Sequence, residues 1–275
     1  MTHASPEYQD IVLEHLGSVA RLTINRPDRL NSMRLPETRD EIMHALDAIE
    51  RDASLRVVII TGQGEKAFST GWDLEAIDDF NLAELEAILR ANLELFFKIW
   101  HLRQPVIAAM NGYTLAAGAS LALTCDLAIA AEHAQLGEPE IRHYALSPLL
   151  IMPFLTHSKF LHEYYYTGDM VDAETMLRLG LVNRVVPADQ LQAVTLKMAQ
   201  RIAKVPAFPL EMTKRGLHTV YDIMGFTQAM RHHALGDALV LGIDLPDKKR
   251  LMDLLVEQGM RAFLDARDGP FREDN

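Results

Sequence analysis

Two stretches of this sequence carry residue types suited to holding a negative charge and moving a proton. The longer runs from Asn111 to Glu140, NGYTLAAGASLALTCDLAIAAEHAQLGEPE, where a small-residue turn, an apolar helix-like segment, a strand-like run and a carboxylate succeed one another. From Leu115 the chain reads LAAGAS, so nothing larger than a hydroxymethyl group occurs for five residues before the apolar run from Leu121 towards Cys125. Small residues at a helix start let a ligand approach the backbone, and the first N–H groups of a helix have no partner within it. Such a site suits a developing negative charge. The same composition also serves tight packing of a helix on a sheet. At the far end, Glu140 comes after Pro139; it is placed to work on a proton or to sit as a helix-start charge, and Glu138 shows how common such carboxylates are here. The second stretch, Lys66 to Ile77, reads KAFSTGWDLEAI. Gly71 precedes the bulky Trp72, and Asp73 is placed to cap the next segment, which is equally the pattern of a plain strand-to-helix turn.

The framework that must position these stretches is large. At 275 residues and 49% hydrophobic, the chain can bury a core as one domain or as a domain with a smaller appendage. Its apolar runs fall short of membrane-spanning length and MTHASPEYQD has no apolar signal core, which predicts a soluble cytoplasmic protein with no membrane partner. Cys125 is the only cysteine, so an intramolecular disulfide is excluded and a cysteine-based zinc site is not expected. A formal charge of -11 argues against non-specific nucleic-acid binding. The eleven histidines are scattered, and His232 and His233 point to different faces of a helix, so no metal is expected.

In chain order, Ile11 to Glu14 and Val19 to Asn25 read as a hairpin around Leu16-Gly17-Ser18. Pro27 stops the second strand, and the segment NRPDRLNSM turns the chain. A helix is predicted from about Pro36 to Arg51, with Ile42, Met43, Leu46 and Ile49 on one stripe. Arg56 to Gly62, RVVIITG, is a buried strand, and the order strand, helix, strand predicts parallel pairing through a right-handed crossover. The helix from about Leu82 to Leu102 aligns Leu82, Leu85, Leu89, Leu93, Phe96 and Trp100, a pattern of core or subunit contact. Val106 to Met110 is then a short strand that Asn111-Gly112 breaks.

Taken together, NRPDRLNSM, AFSTGWDL, PVIAAMNGYTLAAGASLALTCDLAIAAEHAQLGEPEI, TGDMVDAETMLRLGLVNRVVP and EQGMRAFLDARDGPF resemble, in order and spacing, the crotonase family of enoyl-CoA hydratases and isomerases. The match runs over nearly the whole chain. The resemblance implies an α/β fold, a crotonase-like spiral of β-β-α repeats with a C-terminal helical segment. Residues 1–200 would form the core with the acyl-CoA site, and residues 201–275 a helical region for covering the site and for oligomerisation. It further implies an acyl-CoA thioester as substrate, no cofactor beyond the coenzyme A of that substrate, and assembly as a homotrimer or homohexamer.

Protons next to a thioester are weakly acidic, so such an enzyme must stabilise an enolate with two backbone N–H groups. By position in the resemblance these belong to Trp72 and Ala117; relatives usually have glycine at the second place, and alanine keeps the N–H while narrowing the backbone angles. Hydratases of the family use two glutamates around a water, and here the first position is Ser120 and the second Glu140. A serine is a poor proton donor or base near neutral pH. A lone glutamate at the Glu140 position is what the family's 3,2-enoyl-CoA isomerases use, which favours a single-base proton shuttle over hydration. A decarboxylase, a hydrolase and an acyl-CoA binder without turnover stay open. His143, Tyr144 and Pro148 replace the family's usual glycine-rich run. His143 is either an acid-base group or a hydrogen-bonded or exposed ring. Asp73 holds its turn rather than catalysing. For the coenzyme, relatives imply Arg29, Leu30, Ala67, Phe68, Trp72, Asp73, Leu74 and Ala117, with Phe263 and Arg267 from the closing helix. The stretch from Ser158 to Pro187 resembles a helix and turn of the family that pack the core.

Overall fold

The computed structural model describes residues 8–74 and 81–272; the end of the Lys66–Ile77 stretch, from residue 75, lies outside them. Strands β1 (Ile11–Leu16) and β2 (Val19–Ile24) form the expected antiparallel hairpin. Helix α1 (Glu37–Arg51) buries Ile42, Ala45, Leu46 and Ile49, and leads into β3 (Val57–Gly62), which pairs parallel to β2. After β4 (Ala67–Ser69) comes α2 (Leu82–His101), opened by a capping box in which Asn81 accepts from Ala83 and Glu84. Strands β5 (Val106–Met110) and β6 (Tyr113–Leu115) precede α3 (Ala117–Thr124). Then β7 (Leu127–Ala131) and β8 (Gln135–Gly137) lead into a 3-10 turn, Pro139–His143.

Three successive strand pairs, β3/β4, β5/β6 and β7/β8, therefore each place one strand in each of two sheets. With β9 (Val171–Asp172) and β10 (Arg184–Val186) added, the larger sheet has six strands in the order β1-β2-β3-β5-β7-β10 and the smaller has four in the order β4-β6-β8-β9. Strands β9 and β10 flank α5 (Ala173–Arg178), which comes after α4 (Ser158–Thr167). The RVVIITG run is apolar on both sides because both faces are covered. Val58 and Ile60 face the main core with Phe96 and Phe226, whereas Val57 and Ile59 meet Leu191 and Ala199 of α6 (Leu191–Ile202). Three further long helices, α7 (Ala207–Ile223), α8 (Phe226–Gly242) and α9 (Pro246–Gln258), lead to α10 (Met260–Arg272). No helix among the described residues is long and apolar enough to cross a membrane.

Two asparagines tie the bends of the smaller sheet together. Asn31 Nδ2 donates to the carbonyls of Gln63 and Ala67, and Asn111 Nδ2 donates to those of Gly62, Gly64 and Ala67. Each amide thus satisfies buried carbonyls that lie outside regular pairing. The NRPDRLNSM and Asn111-Gly112 segments are in this way fastened to the start of β4, the strand that leads on to Gly71 and Trp72.

Candidate active site

Gly71 sits at φ +93, a conformation L side chains rarely adopt. Its carbonyl accepts the Met33 N–H at 2.8 Å, and the Asp73 N–H donates to the Met33 carbonyl at 2.9 Å. Trp72 is held between them in a bridge with Met33, with its own N–H outside that ladder. Asp73 accepts from Arg26 at 3.0 Å, the turn-holding role expected of it.

Across from Gly71 lies the start of α3. Ala116, at φ 55, turns the chain so that the Ala117 N–H is the first of the helix. A Cβ built on Gly71 would stand 2.7 Å from the Ala116 Cβ and 3.0 Å from the Ala117 nitrogen. The two bends, distant in sequence, therefore touch, and only glycine permits it. Gly118 does the same one step further on, since a Cβ there would meet the Ser69 carbonyl at 2.3 Å. The N–H groups of Trp72 and Ala117 thus belong to two bends in direct contact.

Trp72 and Ala116 line a cavity of about 1830 Å³, whose wall also includes Glu140. Typical small-ligand pockets hold roughly 300–1,000 Å³, so this one suits a long ligand. Glu140 is only 5% exposed, and neither of its carboxyl oxygens has a hydrogen-bond partner among the described residues. Burial, and then the neighbouring Glu138 carboxylate, push its pKa well above the ordinary carboxylate range.

Glu138 is the residue that sequence reasoning missed, having treated it as one of many surface acids. It is 2% exposed. Ser147 Oγ donates to its Oε1 at 2.8 Å and Ser120 Oγ donates to the same oxygen at 3.3 Å. Tyr165 approaches the same carboxyl with its own hydroxyl left unpartnered. Burial pushes the Glu138 pKa up to about 7 against these hydroxyls. The serine that stands where a carboxylate was expected is thus bonded to a carboxylate arriving from another element. The only local signal was the Glu138-Pro139-Glu140 spacing.

Other expected residues divide. Arg29, Leu30, Asp73, Leu74 and Arg267 reach the cavity wall. Ala67 and Phe68 do not: both are buried at 2% and 0% exposure, and the Ala67 carbonyl is taken by the two asparagines. Ser120 and Ala117, both fully buried, lie behind the wall. Phe263 is also fully buried; its ring meets His143 edge-on at 5.8 Å instead of opening to the cavity. His143 is neither exposed nor held at Nδ1, which lacks a partner among the described residues. Burial and then the Arg267 charge bring its pKa down to about 4, so the ring is neutral at pH 7 and no proton donor of the imidazolium kind. Arg267 is paired with Asp268 at 2.8 Å, and Asp268 also receives Arg142 at 3.4 Å, which fastens α10 to the 3-10 turn. Leu85 and Leu89 of α2, expected in the core or at a subunit contact, line the cavity instead.

Comparison with known proteins places this geometry. Residues 14–274 match the family model described as enoyl-CoA hydratase/isomerase. The chain belongs to the enoyl-CoA hydratase/isomerase, or crotonase, family. It is 32% identical to a crotonyl-CoA hydratase of Syntrophomonas wolfei, over 96% of this chain and 98% of that protein. It is 30% identical to an (E)-benzylidenesuccinyl-CoA hydratase of Thauera aromatica, over 95% and 98%. Among solved structures, an enoyl-CoA hydratase/isomerase from Xanthobacter autotrophicus Py2 superimposes with a TM-score of 0.92 at 36% identity, covering 96% of this chain and 99% of that one. The two mixed sheets and C-terminal helices are the crotonase fold, and the protein is an acyl-CoA enzyme of that family.

Proposed function

We propose that the protein adds water across the double bond of a 2-enoyl-CoA. The thioester oxygen lies against the N–H groups of Trp72 and Ala117. Glu140 takes a proton from water as the water oxygen bonds to C3, and the electron pair of the double bond moves towards the thioester as an enolate. C2 then takes a proton that starts on the protonated Glu138 carboxyl and is relayed through the Ser120 hydroxyl, which turns from donor to acceptor towards Glu138, and through a water bridging from behind the cavity wall; exchange with solvent resets the two carboxyls. The observation that carries this reading is the Ser120–Glu138 hydrogen bond, because it supplies the second proton-carrying group that hydration needs and that the sequence lacked at position 120. The hydratase names of the relatives agree with it.

The second reading is isomerisation of a 3-enoyl-CoA by Glu140 alone, favoured by the fact that, of Glu138 and Glu140, Glu140 is the one on the cavity wall. Coenzyme contacts from Arg29, Leu30, Leu74 and Arg267 belong to either reading, as does assembly into a trimer or hexamer.

The test offers 2-enoyl- and 3-enoyl-CoA panels to wild type, Ser120→Ala, Glu138→Gln and the double variant. The glutamine introduced by Glu138→Gln would keep an acceptor for both serines while carrying neither a transferable proton nor charge. Hydration through the relay predicts that each single change lowers kcat for water addition by about 10- to 100-fold and that the double is no worse than either. Unchanged hydration in both single variants, or 3-enoyl turnover without any water addition, removes this reading in favour of the second.

A further inference from the structure

The cavity holds another buried acid that hydration leaves unused. Asp237, on α8, is 4% exposed and stands on the cavity wall. Its Oδ1 accepts the Leu146 N–H at 2.8 Å, and no described residue makes a hydrogen bond to Oδ2. The wall also carries Leu85 and Leu89 from α2, Leu146 and Pro148 from the segment after the 3-10 turn, and Ala234 and Leu241 from α8 itself. The Lys248 ammonium donates to the carbonyls of Leu241 and Ile243 and makes no ion pair with Asp237. Burial pushes the Asp237 pKa up to about 7, against the Leu146 N–H and the Lys248 charge, both of which lower it. The Asp237 charge also acts on Glu140, and both acids stand on the wall of the same cavity.

A polar oxygen left open in an apolar wall costs stability unless a ligand completes it. We infer that Asp237 is the specificity-determining residue of the acyl site and selects an acyl chain bearing a hydroxyl group beyond the reacting double bond. A hydroxyl both donates and accepts, so it pairs with the carboxyl in either protonation state. A site built to bond a substrate hydroxyl rejects the analogue lacking it far more strongly than an apolar pocket rejects a changed methylene. The inference rests on the acyl-CoA assignment and not on which reaction ensues.

The experiment measures binding without turnover, by calorimetry, using hexanoyl-CoA and its 4-, 5- and 6-hydroxy derivatives with wild type, Asp237→Asn and Asp237→Leu. The asparagine side chain of the first variant would preserve the acceptor for the Leu146 N–H. The expected result is that wild type binds one hydroxyacyl-CoA at least about 10-fold more tightly than hexanoyl-CoA, that the Leu variant reverses the order, and that the Asn variant keeps part of the preference. Equal or tighter binding of hexanoyl-CoA by wild type overturns the inference whether or not the Leu variant folds. An unchanged ratio in a folded Leu variant also overturns it. Failure of the hydration reading leaves these measurements standing.

Discussion

Buried carboxylates occur in two settings in this molecule, and they behave in opposite ways. In the scaffold, Asp126 receives Lys214 at 2.8 Å, His218 at 3.1 Å and the Val106 N–H at 2.7 Å. Burial alone would raise its pKa, but these donors outweigh that and lower it. Asp10 is similar, gripped by Arg34 through two bonds of 2.8 and 2.9 Å and by Thr38. At the site, Glu140 has no donor among the described residues, Glu138 has hydroxyls only, and Asp237 has one backbone N–H; burial wins and all three rise. The same kind of group is a charged fastener where a cation pairs with it directly and keeps its proton to higher pH where none does.

The sharpest way to break this contrast is Glu140→Gln. Loss of a general acid-base group costs about 10² to 10⁴ in kcat, with no loss of melting temperature because no protein donor is orphaned. A fall of less than about fivefold would take Glu140 out of the chemistry. The mirror experiment is Asp126→Ala, which leaves Lys214 buried without its carboxylate and should cost about 3–5 kcal/mol of stability by denaturant titration. The molecules that remain folded should keep the wild-type kcat.

A smaller effect lies in the pH dependence. Asp237 has a folded pKa near 7, above its value in the unfolded chain. The unfolded chain therefore gives up this proton first, and stability falls as pH rises from the ordinary aspartate range to about 7. Asp237→Asn should melt higher than wild type at about pH 8, with the difference vanishing near about pH 4. For Asp126 the sign is reversed: its depressed pKa contributes stability above the ordinary aspartate range and loses it only in stronger acid. An Asp126→Asn variant should therefore be less stable than wild type at about pH 8 and approach it only below about pH 3. Parallel melting profiles for the two variants would erase the distinction between the two settings.

The two settings also differ in how far the sequence revealed them. The hairpin around Gly17, the RVVIITG strand and the bend at Asn111-Gly112 declared themselves because their causes are local: alternation, continuous apolar runs and turn residues. Trp72, Ala117 and Glu140 were singled out only through family spacing, and the contact of Gly71 with Ala116 brings the first two bends together. Glu138 was not singled out, because what buries it is a pair of serines 18 and 9 residues away. Asp237 was further out of reach, since its partner Leu146 lies 91 residues back along the chain. The His143–Phe263 ring contact was out of reach for a related reason, since its two partners come from the 3-10 turn and from α10. Leu85 and Leu89 kept their helical stripe, and periodicity does not say whether a stripe meets solid core or empty space.

The proline between Glu138 and Glu140 has one more consequence. Its ring fixes its own backbone angle and restricts the residue before it, so the separation of the flanking acids is decided within three residues. The cavity wall around Asp237 draws on α2, α8 and the segment before α4, none of which sets that separation. A lineage could therefore exchange one acyl preference for another by rewriting those distant surfaces, carrying the same reaction chemistry along unaltered.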